Sequence, residues 1–201
     1  DRVKVVLVLD EKGDATGTFE ATIRGRSAQA LADALERVVG TDRREMLRGV
    51  VLGWLPWANV NQVSLSSAEG SWAVTVKAEV VLPAYAQRDG KGWSLPGLEP
   101  LHQVVPRPAA ATLGATYTTR LGRESALAVD SAFQYVFERQ ITFPSPPRPK
   151  GNLPGAKTTD PRLSASRLAK LEGSVLSETF QLTLTPGTVA TTRYDEFAKA
   201  V

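Results

Sequence analysis

Catalysis draws on a short list of side chains, and this sequence uses them sparingly. It holds one histidine, His102, and no cysteine. A cysteine nucleophile is therefore excluded, and a Ser-His-Asp arrangement has to run through His102, in the proline-rich stretch LPGLEPLHQVVPRPAAAT. Such a serine needs a tight strand-to-helix turn, and no G-x-S-x-G elbow is present. We read His102 as a loop or capping histidine. Without thiolates, and with a single imidazole, the usual ligand sets of a zinc site cannot be assembled.

Carboxylate pairs remain, because glycoside hydrolysis needs only two well-placed acids. The candidates are Asp10, Glu11, Asp14, Glu69, Asp89, Asp130, Asp160, Asp195 and Glu196. Most fall in turns or at helix starts, where Asp has a structural role. DEKGD, residues 10–14, has the acidic look of a calcium loop but not the length of an EF-hand, and is read as a hairpin turn. GNLPG, 151–155, has no strand-to-helix context and no Lys-Ser/Thr after it, so it makes no phosphate cradle. The residue reading assigns no catalytic residue, metal or cofactor.

Tryptophans remain as binding candidates. Trp72 is in phase with a strand core and Trp54 with a helix stripe, which assigns both to packing. Trp57, after Pro56, and Trp93, in DGKGWSLPG, are the two expected at a surface, and they are the candidate ligand-binding residues.

The elements that position these residues follow from periodicity. VKVVLVL is apolar on both parities from Val5 to Leu9, the mark of a strand covered on both faces. EKGD supplies a turn, and GTFEATIRG alternates with Phe19, Ala21 and Ile23 on one side, completing a hairpin. The period then changes to that of a helix, with Ser27 as expected N-cap, Leu31, Leu35, Val38 and Val39 as its stripe and Gly40 as its end. A second helix is expected from Asp42, with Glu45 at capping-box spacing, through Leu47, Val50, Val51 and Trp54 to Pro56. Strand periodicity returns after NVNQVSLSS, from Trp72 to Leu82.

The second half is strand-rich. In SAFQYVFERQITFP, Phe133, Tyr135, Phe137, Ile141 and Phe143 share one parity against Gln134, Glu138, Gln140 and Thr142, the pattern of a half-buried strand. SVLSETFQLTLTP alternates likewise, and its Phe180, Leu182 and Leu184 are expected opposite that aromatic stripe. PSPPRPKGNLPGAKTTDPR is read as a long polar loop, the segment most prone to move, and TRYDEFAKAV as a terminal helix docking through Tyr194 and Phe197. The predicted class is α+β, predominantly antiparallel, with a β-β-α-α-β-β first half and a β-sandwich-like second half. The expected division is an α+β sheet with covering helices over 1–98, a proline-rich connection over 99–112 and a β-rich half over 113–201, with one continuous domain as the alternative.

Composition narrows the partners. The 24 basic and 21 acidic residues are interspersed along 201 positions, so a net charge of +3 argues against a nucleic-acid surface. The densest basic run, TDRREMLRG, reads as a solvated helix face. No apolar run approaches the roughly 20 residues that span a bilayer. The chain opens at Asp1 within a predicted strand, so it is expected to be a segment of something longer.

Taken in order, EKGDATGTFEATIRGRSAQALADALERV, LPGLEPL, TTRLGRESALAV before an aromatic strand ending in Pro, and TLTPGTVATTRYDEFAKAV resemble the β-rich region that follows the catalytic domain in bacterial transglutaminase-like multidomain proteins. The resemblance covers most of the chain and rests on residue type and order. It implies a periplasmic or cell-envelope protein in which this segment is a non-catalytic accessory domain, its partner the neighbouring domain of the same polypeptide, or protein or peptidoglycan. The family's catalytic Cys, His and Asp have no counterparts to carry over. The alternative expectation is a glycan- or peptide-binding module built on Trp57 and Trp93.

Overall fold

The strand at the start of the chain buries every second residue: Val3, Val5, Leu7 and Leu9 of β1 (Arg2–Leu9) are each at most 2% exposed. The computed structural model describes residues 1–67, 72–90, 92–96, 117, 123–130, 132–149, 153 and 155–200. It is an α+β structure of mainly antiparallel strands, and it divides into two units. Unit 1 comprises residues 1–97, 137–153 and 169–178, and unit 2 comprises 98–136, 154–168 and 179–201.

In unit 1 the elements run β1, β2 (Ala15–Arg24), α1 (Gly25–Glu36), α2 (Gly40–Trp54), β3 (Asn59–Ser67) and β4 (Ala73–Leu82), the expected β-β-α-α-β-β order. A two-stranded hairpin follows, β5 (Gln87–Asp89) with β6 (Gly92–Ser94). Later segments of β8 (Phe133–Thr142), β10 (Leu163–Glu172) and β11 (Val175–Leu184) complete the sheet, in the order β3-β4-β2-β1-β8-β11-β10. Register places Val5 beside Phe19 and Phe19 beside Ala78, so the buried parities of β1, β2 and β4 form one continuous inner face. α1 lies on β2 and β4, and α2 on β3 and β4, through Ala28, Leu35, Leu47, Val51 and Trp54. Burying each large aliphatic side chain contributes about 1.5–3 kcal/mol, so this face is the principal stabilising feature of the unit.

The outer face is polar. Glu20 and Lys77 pair across strands at 3.1 Å, and Arg2 binds both carboxylate oxygens of Glu138 at 2.7 and 2.9 Å. Val8 on this face is 56% exposed, so β1 is covered on one side only, contrary to the expectation from its double apolar parity. Its neighbour across the register is Thr16, not a covering element.

Several local expectations change. Helix α1 begins at Gly25, where a φ of +62° turns the chain straight out of β2 and the amide donates to the Trp72 carbonyl at 2.8 Å. Ser27 therefore lies inside the first turn, and no side chain caps the helix. Gly40 opens α2 and does not close α1, and Asp42 falls in the first turn of α2, whose N-cap is Val39. Trp72 precedes β4 and is 71% exposed, because its parity with Val74 and Val76 extends beyond the paired strand. Trp54 is buried, as expected.

In unit 2 the strand order is β8-β11-β10-β9, where β9 (Gly155–Thr159) pairs antiparallel with β10 from Ser164 to Leu168. β9 occupies part of the sequence expected as loop, and β10 begins at its end. GAKTT has no apolar parity to announce it, and its pairing partner supplies the order. A second small sheet pairs β7 (Leu127–Val129) with β12 (Gly187–Val189). Tyr135 on β8 meets Phe180 on β11 at 6.5 Å between ring centroids, the cross-strand contact expected of the aromatic stripe. A short 3-10 turn (Thr191–Arg193) leads into α3 (Tyr194–Ala200), which buries Tyr194 and Phe197. The Tyr194 hydroxyl donates to the Tyr117 carbonyl at 3.1 Å, and Phe197 packs edge-on to the Tyr117 ring.

Candidate functional site

The last turn of α2 is stopped by Pro56, which cannot continue a helix, and the chain folds back with Ala58 donating to the Leu55 carbonyl at 3.0 Å. Trp57 is thereby held on a surface turn at 47% exposure. It forms one wall of an open cleft of about 340 Å³ in unit 1. The segment after β4, Pro83 to Tyr85, forms another wall, and Gln87 with Ser94 to Pro96 completes the lining.

The wall after β4 is unusual in its backbone. Ala84 has a φ of +50°, a conformation costly for a residue with a Cβ and one that clusters at functional positions. Its amide donates to Asp14 Oδ1 at 2.7 Å, which holds it there. Asp14 belongs to the β1–β2 turn, where Asp10 Oδ1 accepts from the amides of Lys12 and Asp14 at 2.8 and 2.9 Å. The DEKGD segment is thus a hairpin turn built by its own carboxylates. Gly13 is required in it: a Cβ there would lie 2.0 Å from the Ala86 carbonyl oxygen. Its own carbonyl accepts from the Ala86 amide at 2.9 Å. The turn therefore fixes the cleft wall from behind.

A buried ion pair fixes it from below. Arg139 of β8 and Glu178 of β11 are 5% and 4% exposed. Arg139 Nε donates to Glu178 Oε2 at 2.7 Å, and Nη2 donates to the same oxygen. The remaining nitrogen, Nη1, donates to the Tyr85 hydroxyl at 2.9 Å and to the Pro96 carbonyl at 2.8 Å. One guanidinium thus holds two of the residues that line the cleft, Tyr85 and Pro96. Burial pushes the Tyr85 hydroxyl above its ordinary range, with the Arg139 charge opposing and the Glu178 charge assisting. Tyr85 therefore stays protonated and neutral at physiological pH.

The two tryptophans expected at a surface are separated by the β5–β6 register. Gln87 faces Ser94 and both line the cleft, while Arg88 faces Trp93, with its guanidinium carbon 5.3 Å from the indole centroid. Trp93 lies against Arg88 and the Gly13 backbone, outside the cleft lining. His102 and Glu69, like the proline-rich connection 99–112, lie outside the described residues. Of the other carboxylates, Asp160 accepts from the Arg162 amide at 2.8 Å, and Asp130 from the Tyr117 hydroxyl at 3.3 Å. Asp195 and Glu196 sit in the first turn of α3. Among the described residues no group of three or more His, Asp or Glu could hold a metal ion.

The sequence carries a signal for Arg139 and Glu178. Each sits in the apolar parity of its strand, Arg139 with Tyr135 and Ile141, Glu178 with Leu176 and Leu182. Opposite charges at the centres of two apolar stripes predict a buried pair. Among the described residues that line it the cleft has no charged side chain; it is aromatic and proline-lined, and such a lining suits binding. No family model, curated protein or solved structure matches the chain.

Proposed function

We propose that the chain is a non-catalytic accessory module of a larger transglutaminase-like bacterial envelope protein, and that it docks a polypeptide segment in the cleft beside Trp57. The observation that carries the docking role is the Arg139 grip on Tyr85 and Pro96, which presets two lining residues before any ligand arrives. The parent protein and its envelope location are supported by the order of sequence motifs alone. Titration calorimetry of this chain with the separately expressed transglutaminase-like core of its parent protein tests the reading. Saturable binding that Trp57→Ala weakens is expected, and no heat at 100 μM of either partner refutes it.

A glycan-binding role is the second reading. It is favoured by the half-exposed Trp57 face beside the amide of Gln87 and the hydroxyl of Ser94, a pairing of stacking surface and hydrogen-bonding groups. Muropeptides and chitooligosaccharides titrated against tryptophan fluorescence test it, and no change at millimolar ligand rules it out.

A further inference from the structure

We infer that the cleft takes one uncharged residue of an extended polypeptide and reads its backbone, with the ligand's N–H on the Pro83 carbonyl and the ligand's C=O on the Tyr85 hydroxyl. The inference rests on the reading of the cleft as a polypeptide-docking site and names what is recognised there.

The acceptor follows from the turn after β4. The Pro83–Ala84 peptide is trans and planar, so its C=O and N–H point in opposite directions. Its N–H, the Ala84 amide, donates to Asp14 Oδ1 at 2.7 Å, and Asp14 is not among the residues that line the cleft. The Pro83 carbonyl is therefore turned away from the β1–β2 turn, on a residue that is exposed and lines the cleft. No backbone amide of the described residues donates to it. Proline followed by a residue of positive φ is the arrangement of a type II turn; with negative φ at Ala84 the same peptide would be turned over and its carbonyl would face the other way. The strain at Ala84 thus has a use.

The donor follows from the buried ion pair. Arg139 Nη1 donates to the Tyr85 oxygen at 2.9 Å, and a guanidinium accepts nothing in return, so the phenol has its own proton left to give. Tyr85 is 6% exposed and lines the cleft, and none of the described residues takes that proton. A buried donor of this kind calls for an acceptor.

Together they select a backbone. A residue in an extended strand presents its N–H and C=O unspent on one side, whereas a helix uses both internally. Proline has no N–H to offer, so the residue read is not proline. Among the described residues no charged side chain lines the cleft, and Trp57, Leu95 and Pro96 give the ligand's side chain an apolar surface.

NMR titration of the whole chain with N-acetyl-leucine methylamide tests this, beside the analogue with an ester oxygen in place of the leucine N–H. Saturable shifts are expected at the Ala84, Tyr85 and Gln87 amides and at the Trp57 indole. The ester should bind about threefold to tenfold more weakly, the worth of one hydrogen bond. Asp14→Ala, which frees the Ala84 amide, and Ala84→Val, which disfavours the positive φ, should each erase the difference between the two ligands. Tyr85→Phe should weaken both by the same factor, about threefold to tenfold, and keep the difference between them. Equal affinity for the two ligands, or a Tyr85→Phe variant that binds them as the unaltered chain does, overturns the inference. So does Trp57-dependent binding of chitobiose with none of the blocked leucine. A chain that binds the transglutaminase-like core through Trp57 but does not distinguish amide from ester keeps the docking reading and loses this one.

Discussion

Replacing Glu178 with Gln should be among the most damaging single substitutions in unit 1, and the reason is arithmetic of charge. Glu178 Oε2 takes two hydrogen bonds from Arg139, and both side chains are about 95% removed from solvent. The isosteric amide keeps the volume and removes the counter-charge, leaving a buried guanidinium that cannot lose its proton. Breaking one side of a buried pair costs about 3–5 kcal/mol, a large share of the 5–15 kcal/mol that typically separates folded from unfolded. Replacing both partners, Arg139→Met with Glu178→Leu, removes that penalty and leaves the Tyr85 hydroxyl and Pro96 carbonyl short of a donor. Those losses cost about 1–3 kcal/mol each when fully buried, and Pro96 is only half-buried. The double variant is therefore expected to be more stable than Glu178→Gln, by about 1–2 kcal/mol. Urea unfolding followed by circular dichroism, compared at equal slope, measures both. A cost under about 1 kcal/mol for Glu178→Gln, or a double variant less stable than that single one, would refute the reasoning.

Three further outcomes are expected. Burial raises Tyr85 and Tyr135 above the tyrosine value of 10.0, so the folded chain keeps protons that the unfolded chain releases. Their stabilisation is complete below about pH 10 and is lost as pH rises from there through the higher folded values, by at most about 1.4 kcal/mol per pH unit for each; urea midpoints at pH 9 and 11 should show the fall, and Tyr135→Phe should reduce it. Gly17→Ala places a Cβ 1.9 Å from the Val6 carbonyl oxygen and 2.9 Å from Leu7 Cα, all backbone that cannot yield cheaply. It should cost about 3 kcal/mol, and an unchanged melting temperature contradicts the β1–β2 approach. Asp14→Ala releases the Ala84 amide and should cost about 1 kcal/mol while weakening ligand binding in the cleft, whereas weaker binding without lost stability points to a direct contact.

Much of unit 1 could be read from periodicity, because β1, β2, α2 and β4 each carry a stripe that the structure buries, whereas of the stripe expected for α1 only Leu35 is buried, Leu31 is half-buried, and Val38 and Val39 lie past the helix end at Glu36, with Val39 81% exposed. Parity failed where burial is not local. Val8 and Trp72 have apolar neighbours in phase, yet whether a second layer covers them depends on elements distant in sequence. β9 is polar and gains its order from β10, so nothing within GAKTT announces it. At the site, Trp57 could be placed at the surface from Pro56 alone, and the charge pair was visible as two breaks in apolar parity. The convergence of Asp14, Ala84, Tyr85 and Pro96 could not be read, since it joins a hairpin turn to a segment 70 residues later. Trp93 shares the composition of Trp57 but not its direction, which the β5–β6 register decides.

Hydrogen exchange of the chain, alone and with the proposed partner, tests the central claim most directly. With the transglutaminase-like core added at saturation, slowed exchange is predicted at Trp57, at Ala84 to Gln87 and at Ser94 to Leu95, while the outer face around Glu20 and Lys77 stays unchanged. Protection confined to that polar face, or no protection at the cleft under conditions where binding is saturated, contradicts the account.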